Sequence, residues 1–170
     1  MLFRSYVLEK GLMNGVGDGT FAPGAETSRA MVAAILWRLA DCPEAGAEGA
    51  FTDVPAGTWY TDAAAWAAET GIANGYNGAF DPEGAITREQ LACMLYRFAQ
   101  SQGKGFTGEW MFPLDYTDAD SVSDWAYEAM CWCTTNGILN GKDGNRLDPA
   151  GQASRAEAAT MLLRFAESMK

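Results

Sequence analysis

Apolar residues recur at helical spacing in three stretches of the chain. In the middle stretch they are separated by three, one and three positions, which places them on one face of an α-helix. They are Leu91, Met94, Leu95 and Phe98. Similar stripes lie within residues 27–40 and 153–166. No stretch alternates apolar and polar residues as a half-buried strand does, so the pattern predicts an all-α protein without a substantial sheet.

The three stripes belong to three copies of one longer sequence. Residues 51–99 align with residues 116–166 from the Phe/Tyr-Thr-Asp start to the Arg-Phe-Ala end. Within this alignment, GIANG at 71–75 matches GILNG at 137–141. Self-similarity at a fixed period of this size is typical of repeat architectures.

The first copy is shorter than the other two. Its GLMNG at 11–15 and its Arg29 align well, but Tyr6 falls where the other copies have a tryptophan, and their opening segment is missing. We therefore expect one domain over residues 1–170. It would consist of a partial repeat at 1–41 and further repeats at 51–100 and 116–170.

Each copy predicts a helix, a loop and a second helix. Thr87 is a favourable N-cap for the second helix, and Gln90 can complete a capping box with it. Ser154 and Glu157 repeat that pair, whereas Ser28 is followed by Met31, which cannot return the hydrogen bond. Other expectations are a left-handed cap at Gly71, a turn over 74–78, and buried positions for Phe80, Trp66, Trp132 and Cys93.

Composition excludes several functions. The 170 residues carry a formal net charge of -10, so no basic footprint for nucleic acid or for an anionic membrane surface is expected. Histidine is absent, which removes histidine-dependent catalysis and imidazole zinc sites. The four cysteines form no zinc-site spacing, and Cys131 and Cys133 would point to different faces of one helix, so all four are interpreted as small buried side chains.

No apolar run approaches the length of a membrane span, and the start of the chain lacks the apolar core of a signal peptide. If the protein is exported, its signal must lie outside this sequence. The linker at 101–115 carries Trp110, Met111 and Phe112, which we expect to pack against the body.

Six of the eight arginines stand at two fixed positions of the three copies. Arg29, Arg88 and Arg155 each follow an N-cap, on the flank of the apolar stripe, beside the backbone N–H groups of a first helical turn. That geometry suits a carboxylate. Two interpretations stay open for these arginines: ligand binding, and a structural salt bridge to Asp53, Asp118 or another carboxylate of a neighbouring copy.

The second arginine position is nine residues further along. Arg38, Arg97 and Arg164 are interpreted as helix-end charges with surface salt bridges, remote from the first position. Trp59 and Trp125 each precede a first helix, where a tryptophan can either staple the helix or stack against a sugar ring.

These residues together resemble a known family. The order is FTDV with a following tryptophan, then G-I-x-N-G, then Phe/Leu-x-Pro, then Thr/Ser-Arg. It is similar to the S-layer homology (SLH) domain, whose signature ends close to Ile-Thr-Arg-Ala-Glu. That ending appears here as ITREQ at 86–90, ASRAE at 153–157 and TSRAM at 27–31.

The resemblance implies three repeats in a pseudo-threefold, three-pronged arrangement around a central helical bundle. It also implies a non-enzymatic module that anchors exported bacterial proteins to the cell surface or cell wall. The implied partner is a secondary cell-wall polysaccharide with pyruvylated N-acetylmannosamine, held in grooves between repeats, without a cofactor or a metal. The candidate ligand-binding residues are Arg29, Arg88, Arg155, Trp59, Trp125, Asp53, Asp118, Asn74, Asn140, Gly75 and Gly141.

Alternative functions belong to other classes. A structural or self-assembling module would have the same repeats with degenerate grooves, and the short first copy favours this alternative. An accessory domain of a secreted carbohydrate-active enzyme is also compatible. A glycosidase would need two dedicated carboxylates, but those of the repeats recur with caps and turns. A calcium site at Asp115, Asp118, Asp120 and Asp124 lacks the glycine and glutamate of an EF-hand loop.

Overall fold

The computed structural model of the chain describes Gly11, Met13 and residues 20–46, 49–108 and 112–170. In these residues it has five α-helices and no strand, which confirms the all-α prediction. The α-helices are α1 (Arg29–Leu39), α2 (Thr61–Glu69), α3 (Arg88–Ser101), α4 (Tyr127–Thr135) and α5 (Arg155–Ser168). Two short 3₁₀ helices, Ala119–Ser121 and Asp124–Ala126, precede α4.

The helix starts follow the sequence pattern. Both reciprocal bonds of the capping box are present at the start of α3, between Thr87 and Gln90, and at the start of α5, between Ser154 and Glu157. Ser28 caps α1 through the backbone N–H of Met31 alone. Gly71 adopts the predicted left-handed conformation after α2, with φ of 71°. The predicted turn is confirmed by mutual backbone hydrogen bonds between Tyr76 and Ala79.

The copies interlock rather than stack as separate units. The second helix of the first copy, α1, packs on α2 of the second copy, and α3 packs in the same way on α4 of the third. Aromatic contacts extend this arrangement to α5, because the rings of Phe98 and Trp132 both contact Phe165 edge to face. The core is therefore shared by all three copies.

The segments before α1, α3 and α5 bond to one another in a closed cycle. The backbone N–H of Thr27 donates to Ala153, that of Ala153 donates to Ile86, and that of Ile86 donates back to Thr27. Each bond is between 2.8 and 3.0 Å long. This cycle brings the starts of the three helices together. The three-pronged arrangement implied by the resemblance remains a prediction.

The predicted interior positions are buried. Phe80, Trp66, Trp132 and Cys93 all lie in the core, as do Cys131 and Cys133. Cys42 is an exception, because it is exposed in a left-handed turn after α1. The interpretation of all four cysteines as buried side chains is therefore wrong for Cys42.

The linker before α4 is only partly described. Phe112 stacks on Phe106 with ring centroids 5.2 Å apart, and its backbone oxygen accepts a hydrogen bond from the Cys131 thiol. Phe112 thus packs against the body, although its side chain stays partly exposed. Trp110 and Met111 lie outside the described residues, as do Tyr6 and most of the GLMNG segment. No helix in the described part of the chain combines the length and apolar character needed to cross a membrane.

Candidate functional site

The three helix-start arginines each reach into another copy. Arg29 donates from Nε to the backbone oxygen of Phe80 at 2.7 Å, and Arg88 donates to that of Leu147 at 2.8 Å. Arg155 closes the cycle with a bond of 2.9 Å to the oxygen of Phe21. We call these places the first, second and third boundary sites, after Arg29, Arg88 and Arg155. Each guanidinium is thereby fixed at an interface between copies.

The backbone N–H groups beside these arginines are not free. The backbone N–H groups of Arg88 and Glu89 donate to the backbone oxygens of Gly151 and Pro149, respectively. The backbone N–H of Arg29 donates to the backbone oxygen of Gly84. The expectation that the first helical turn offers free N–H groups to an anion is therefore wrong. These backbone N–H groups bond one copy to another, so only side chains remain to bind an anion at these places.

At the second boundary site each nitrogen of the guanidinium has a partner. Besides the bond to Leu147, Arg88 donates from Nη2 to the backbone oxygen of Asn140 at 3.0 Å, and its Nη1 lies 3.2 Å from Oε1 of Glu157. Lys142 bridges Glu157 and Asp148, with Nζ–O distances of 3.0 and 2.7 Å. Arg88 is 3% exposed, so this ion pair lies at the edge of the core.

The pKa values at the second boundary site follow from this network. Burial lowers the pKa of Arg88, and the charge of Glu157 opposes that shift. Burial alone would raise the pKa of Glu157, but its bonds with the Ser154 backbone and with Lys142 lower it overall. The hydrogen bond from Lys142 lowers the pKa of Asp148. Lys142 therefore favours the ionised form of both neighbouring carboxylates, Glu157 and Asp148.

The first boundary site is open by comparison. Arg29 is only partly buried, and its guanidinium lies 5.1 Å from the centre of the Phe80 ring. In the described residues it has no ion pair, and neither terminal nitrogen has a hydrogen-bond partner. Burial lowers the pKa of Arg29, the charge of Asp81 opposes this shift, and Arg97 adds to it. Arg97 thus lies near this site.

The second arginine position is therefore not remote from the first. Arg97 donates a hydrogen bond to the backbone oxygen of Ile72 at 3.4 Å. Arg164 donates to the side-chain oxygen of Asn140 in the amide orientation that gives both the oxygen and the nitrogen of Asn140 a hydrogen-bond partner. Neither arginine forms an ion pair within the described residues. The interpretation of Arg97 and Arg164 as surface salt bridges is wrong.

The third boundary site has a different character. The guanidinium of Arg155 lies 5.0 Å from the ring centre of Phe21, and its Nη1 meets the sulfur of Met31 at 3.7 Å. Met31 stands where Glu157 meets Arg88 at the second boundary site, so a thioether replaces a carboxylate there. Burial lowers the pKa of Arg155.

Asp53 and Asp118 shape loops rather than pair directly with arginines. The two oxygens of Asp53 accept the backbone N–H groups of Phe80 and Asp81, both at 2.7 Å. The structural salt bridge considered for the arginines is therefore wrong for Asp53 and Asp118, but it is confirmed at Arg88, where Glu157 is the carboxylate of another copy. Burial would raise the pKa of Asp53, but these two N–H groups lower it.

The G-I-x-N-G residues serve close packing. A side chain on Gly75 would approach the backbone oxygen of Ala79 to 2.4 Å, and one on Gly141 would approach the Tyr116 ring to 2.8 Å. Asn140 contributes its backbone oxygen to Arg88, as described above, whereas Asn74 is exposed. A side chain on Gly75 would also approach the Phe51 ring to 2.7 Å, so both glycines let a loop lie directly on an aromatic ring.

Trp59 and Trp125 lie on the surface, each 56% exposed. Neither has a hydrogen bond or cation–π contact to an arginine in the part of the chain described. The segment carrying Trp125 is nevertheless fixed to the start of α3, because Glu89 accepts from both the backbone N–H and the hydroxyl of Ser123. The start of α3 in the second copy is thus joined to the segment that carries Trp125 in the third.

Sequence reasoning missed the role of Lys142. It directly follows GILNG, at the position that Tyr76 holds after GIANG, so the repeat alignment could have identified it as a charge specific to the third copy. In the acidic run considered for calcium, both carboxylate oxygens of Asp118 accept backbone N–H groups. The described residues contain no group of three acidic, cysteine or histidine side chains that could hold a metal ion.

The sequence of these repeats is similar to that of known proteins. The family described as S-layer homology domain matches residues 5–31, 50–92 and 115–159. The chain is 31% identical over 156 residues to Exoglucanase XynX of Acetivibrio thermocellus, with 92% of this chain and 14% of that protein covered. It is 29% identical over 167 residues to the Surface-layer 125 kDa protein of Lysinibacillus sphaericus, with 96% and 14% covered.

A third relative is the Cellulosome-anchoring protein of Acetivibrio thermocellus, 27% identical over 165 residues. The alignment covers 91% of this chain and 35% of that protein. The chain thus spans about a third or less of each of these three relatives. The shared part is the repeat region in every case.

Proposed function

Because the chain belongs to the S-layer homology domain family, we propose that it is a cell-surface anchoring module that binds a pyruvylated cell-wall polysaccharide without a covalent link. Its place would be extracellular, at a bacterial cell surface or cell wall. The names of two relatives, a surface-layer protein and a cellulosome-anchoring protein, support the anchoring role. The ligand would be of the N-acetylmannosamine type, with a ketal-linked pyruvate that presents one carboxylate on a neutral sugar.

One observation carries the ligand class. At the first boundary site, the bond to Phe80 and the stacking on its ring hold the Arg29 guanidinium in place, while both terminal nitrogens lack a partner in the described residues. A planar guanidinium with two free N–H directions fits a carboxylate through two parallel bonds. Burial on one side strengthens such a contact relative to bulk water.

The net charge of -10 does not prevent binding of an anionic polymer. Local guanidinium contacts determine the bound state, whereas the overall field slows the approach of the polymer. A long polymer with many pyruvylated residues can engage more than one boundary site, which raises overall affinity through effective concentration. The exposed Trp59 and Trp125 offer flat surfaces of the kind on which sugar rings stack.

A structural module with degenerate grooves is the second candidate function. It is favoured by the second boundary site, where Glu157, Leu147 and Asn140 each bond one nitrogen of the Arg88 guanidinium. In that case the arginines would serve to join the copies, and self-association could follow. One relative is named an exoglucanase, so a role beside a catalytic domain is also compatible with the proposal.

The test is a comparison of two polymers. Purified cell-wall polysaccharide bearing pyruvate ketals is presented to the intact 170-residue chain, beside the same material after mild acid removal of pyruvate. We expect retention on the first polymer and loss of retention on the second. Equal retention on both would contradict a carboxylate-dependent site, and retention on neither would favour the structural candidate.

A further inference from the structure

We infer that the third residue of each second helix decides which boundary site can take an external carboxylate. The residue is Met31 in α1, Gln90 in α3 and Glu157 in α5. By this inference Glu157 acts as an internal carboxylate that already occupies Arg88, and the thioether of Met31 covers Arg155, so the first boundary site is the principal binding site. The inference rests on the proposed function, since it concerns the same ligand class.

Glu157 has two roles in one side chain. Its Oε2 accepts the backbone N–H of Ser154 at 2.9 Å, which completes the capping box of α5. Its Oε1 is 3.2 Å from Nη1 of Arg88. A ligand carboxylate that approached Arg88 would have to replace Glu157, whose own charge would then stay nearby without its partner. This competition weakens any external carboxylate at the second boundary site.

Gln90 caps α3 in the same way but leaves a different atom facing outward. Its Oε1 accepts the backbone N–H of Thr87 at 3.1 Å, so its second atom, Nε2, takes the place of the Glu157 oxygen that meets Arg88. An amide nitrogen is a donor and cannot neutralise a guanidinium. It has no hydrogen-bond partner in the described residues. Gln90 therefore adds a donor where Glu157 supplies an acceptor.

The equivalence of these positions follows from the cycle of contacts. Arg88 meets the third residue of α5, and Arg155 meets the third residue of α1. By the same rotation we expect Arg29 to face the third residue of α3. The backbone N–H of Arg29 donates to Gly84 and that of Arg88 to Gly151, which fixes the two arginines in equivalent frames.

Lys142 reinforces the difference. At the second boundary site it bonds both Glu157 and Asp148 and so holds the internal carboxylate in position. Its counterpart in the second copy is Tyr76, which is 80% exposed, and Asp81 there has no ion pair among the described residues. The neighbouring Arg97 further favours an anion at the first boundary site. The first boundary site therefore has no carboxylate bonded to its arginine, although the charge of Asp81 lies nearby.

The experiment exchanges the two residues. Gln90→Glu gives the first boundary site its own carboxylate, and Glu157→Gln removes the one at the second. Either residue forms the capping box in this protein, so both variants should keep the fold, which far-UV circular dichroism and the melting temperature verify. Binding of a pyruvylated N-acetylmannosamine fragment to the full chain is measured by calorimetry. Gln100→Glu is the control, because it adds the same charge at an exposed position about 15 Å further along α3.

We expect Gln90→Glu to weaken binding at least tenfold and Gln100→Glu to change it less than threefold. Glu157→Gln should raise the number of bound fragments per chain or strengthen the second, weaker binding event. Unchanged binding in folded Gln90→Glu, or an equal loss in Gln100→Glu, would overturn the inference while leaving the proposed function intact. Absence of fragment binding by the unmodified chain would instead overturn the proposed function and the inference with it.

Discussion

Asp118 and Leu147 are joined across 29 residues by a bond of 2.7 Å from the backbone N–H of Leu147 to Oδ1 of the carboxylate. The other oxygen of Asp118 accepts a hydrogen bond from the backbone N–H of Asp148. The carbonyl oxygen of Leu147 accepts one from Nε of Arg88. One carboxylate therefore positions the loop that in turn positions an arginine of another copy. Asp53, Phe80 and Arg29 repeat this chain of contacts.

Asp118→Ala should lower the free energy of unfolding by about 1.5–3 kcal/mol, the range for hydrogen bonds to a charged group. Asp118→Asn should cost less, because an amide oxygen can still accept one of the two N–H groups. Urea denaturation monitored by tryptophan fluorescence measures both variants. If Asp118→Ala instead left stability unchanged and reduced ligand binding, Asp118 would be a direct ligand contact.

The sequence allowed prediction of the features that depend on neighbours along the chain. Capping at Thr87 and Ser154, the stripe around Leu95 and the left-handed Gly71 all follow from short-range rules that the structure obeys. The repeat alignment also identified Arg29 and its counterparts as a set, which supplied the resemblance.

Contacts between copies could not be predicted in this way. An alignment shows that Gln90 and Glu157 correspond, but not that Glu157 meets an arginine of another copy, because that depends on how the helices interlock. The same limitation explains why the N–H groups of the first helical turn were expected to be free and why Arg97 was expected to be remote. The distances that decide these questions join residues more than 50 positions apart, such as Arg88 and Leu147.

Thr27 has a buried hydroxyl at the cycle of backbone bonds. Its side chain is fully buried, and Oγ1 has no hydrogen-bond partner in the described residues. An unsatisfied buried polar atom costs about 1–3 kcal/mol, so the isosteric change Thr27→Val should raise the free energy of unfolding by about 1 kcal/mol. Thr87→Val is the contrast, since it removes the cap of α3 and should destabilise by a similar amount. A loss of stability in Thr27→Val would indicate an unseen partner for the hydroxyl.

The cysteines should differ sharply in reactivity. Cys42 is exposed, whereas burial raises the pKa of Cys93 to about 11 and raises that of Cys133 as well. The reactive species is the thiolate, so both raised pKa values and low access slow reaction. Titration of the native reduced protein with a disulfide reagent should show one fast thiol, and Cys42→Ser should abolish that phase. Two or more fast thiols in the native state would contradict the burial of the others.

Stability should fall at acid pH through the carboxylates of the boundary sites. The pKa values of Glu157, Asp148 and Asp53 are lowered in the folded state, so their contribution is complete above the unfolded values of about 4 and is lost as pH falls through the folded values. Denaturation midpoints measured between pH 6 and pH 3 should therefore decrease below about pH 4. Glu157→Gln should show a shallower decrease, because one of the three groups no longer titrates. An identical slope in both proteins would mean that Glu157 is not linked to folding.

Arg88 tests whether the boundary arginines join the copies as well as bind ligand. Its Nε and Nη2 donate to the backbone oxygens of Leu147 and Asn140, and its Nη1 donates to the carboxylate of Glu157. These three acceptors lie in different directions around the guanidinium. Lysine keeps the charge but offers a single ammonium, which cannot reach all three acceptors from one position. Arg88→Lys should therefore lower the free energy of unfolding by about 2 kcal/mol, since acceptors at a buried edge lose their donors.

Arg97→Lys is the matched control for this change. Arg97 lies on the same helix, makes one long bond to the backbone oxygen of Ile72, and has no ion pair in the described residues, so this substitution should change the unfolding free energy by less than about 0.5 kcal/mol. Chemical denaturation of the two variants beside the unmodified chain measures the difference directly. Equal stability of the two lysine variants would show that Arg88 is dispensable for joining the second and third copies, and its guanidinium would then be available to a ligand despite Glu157.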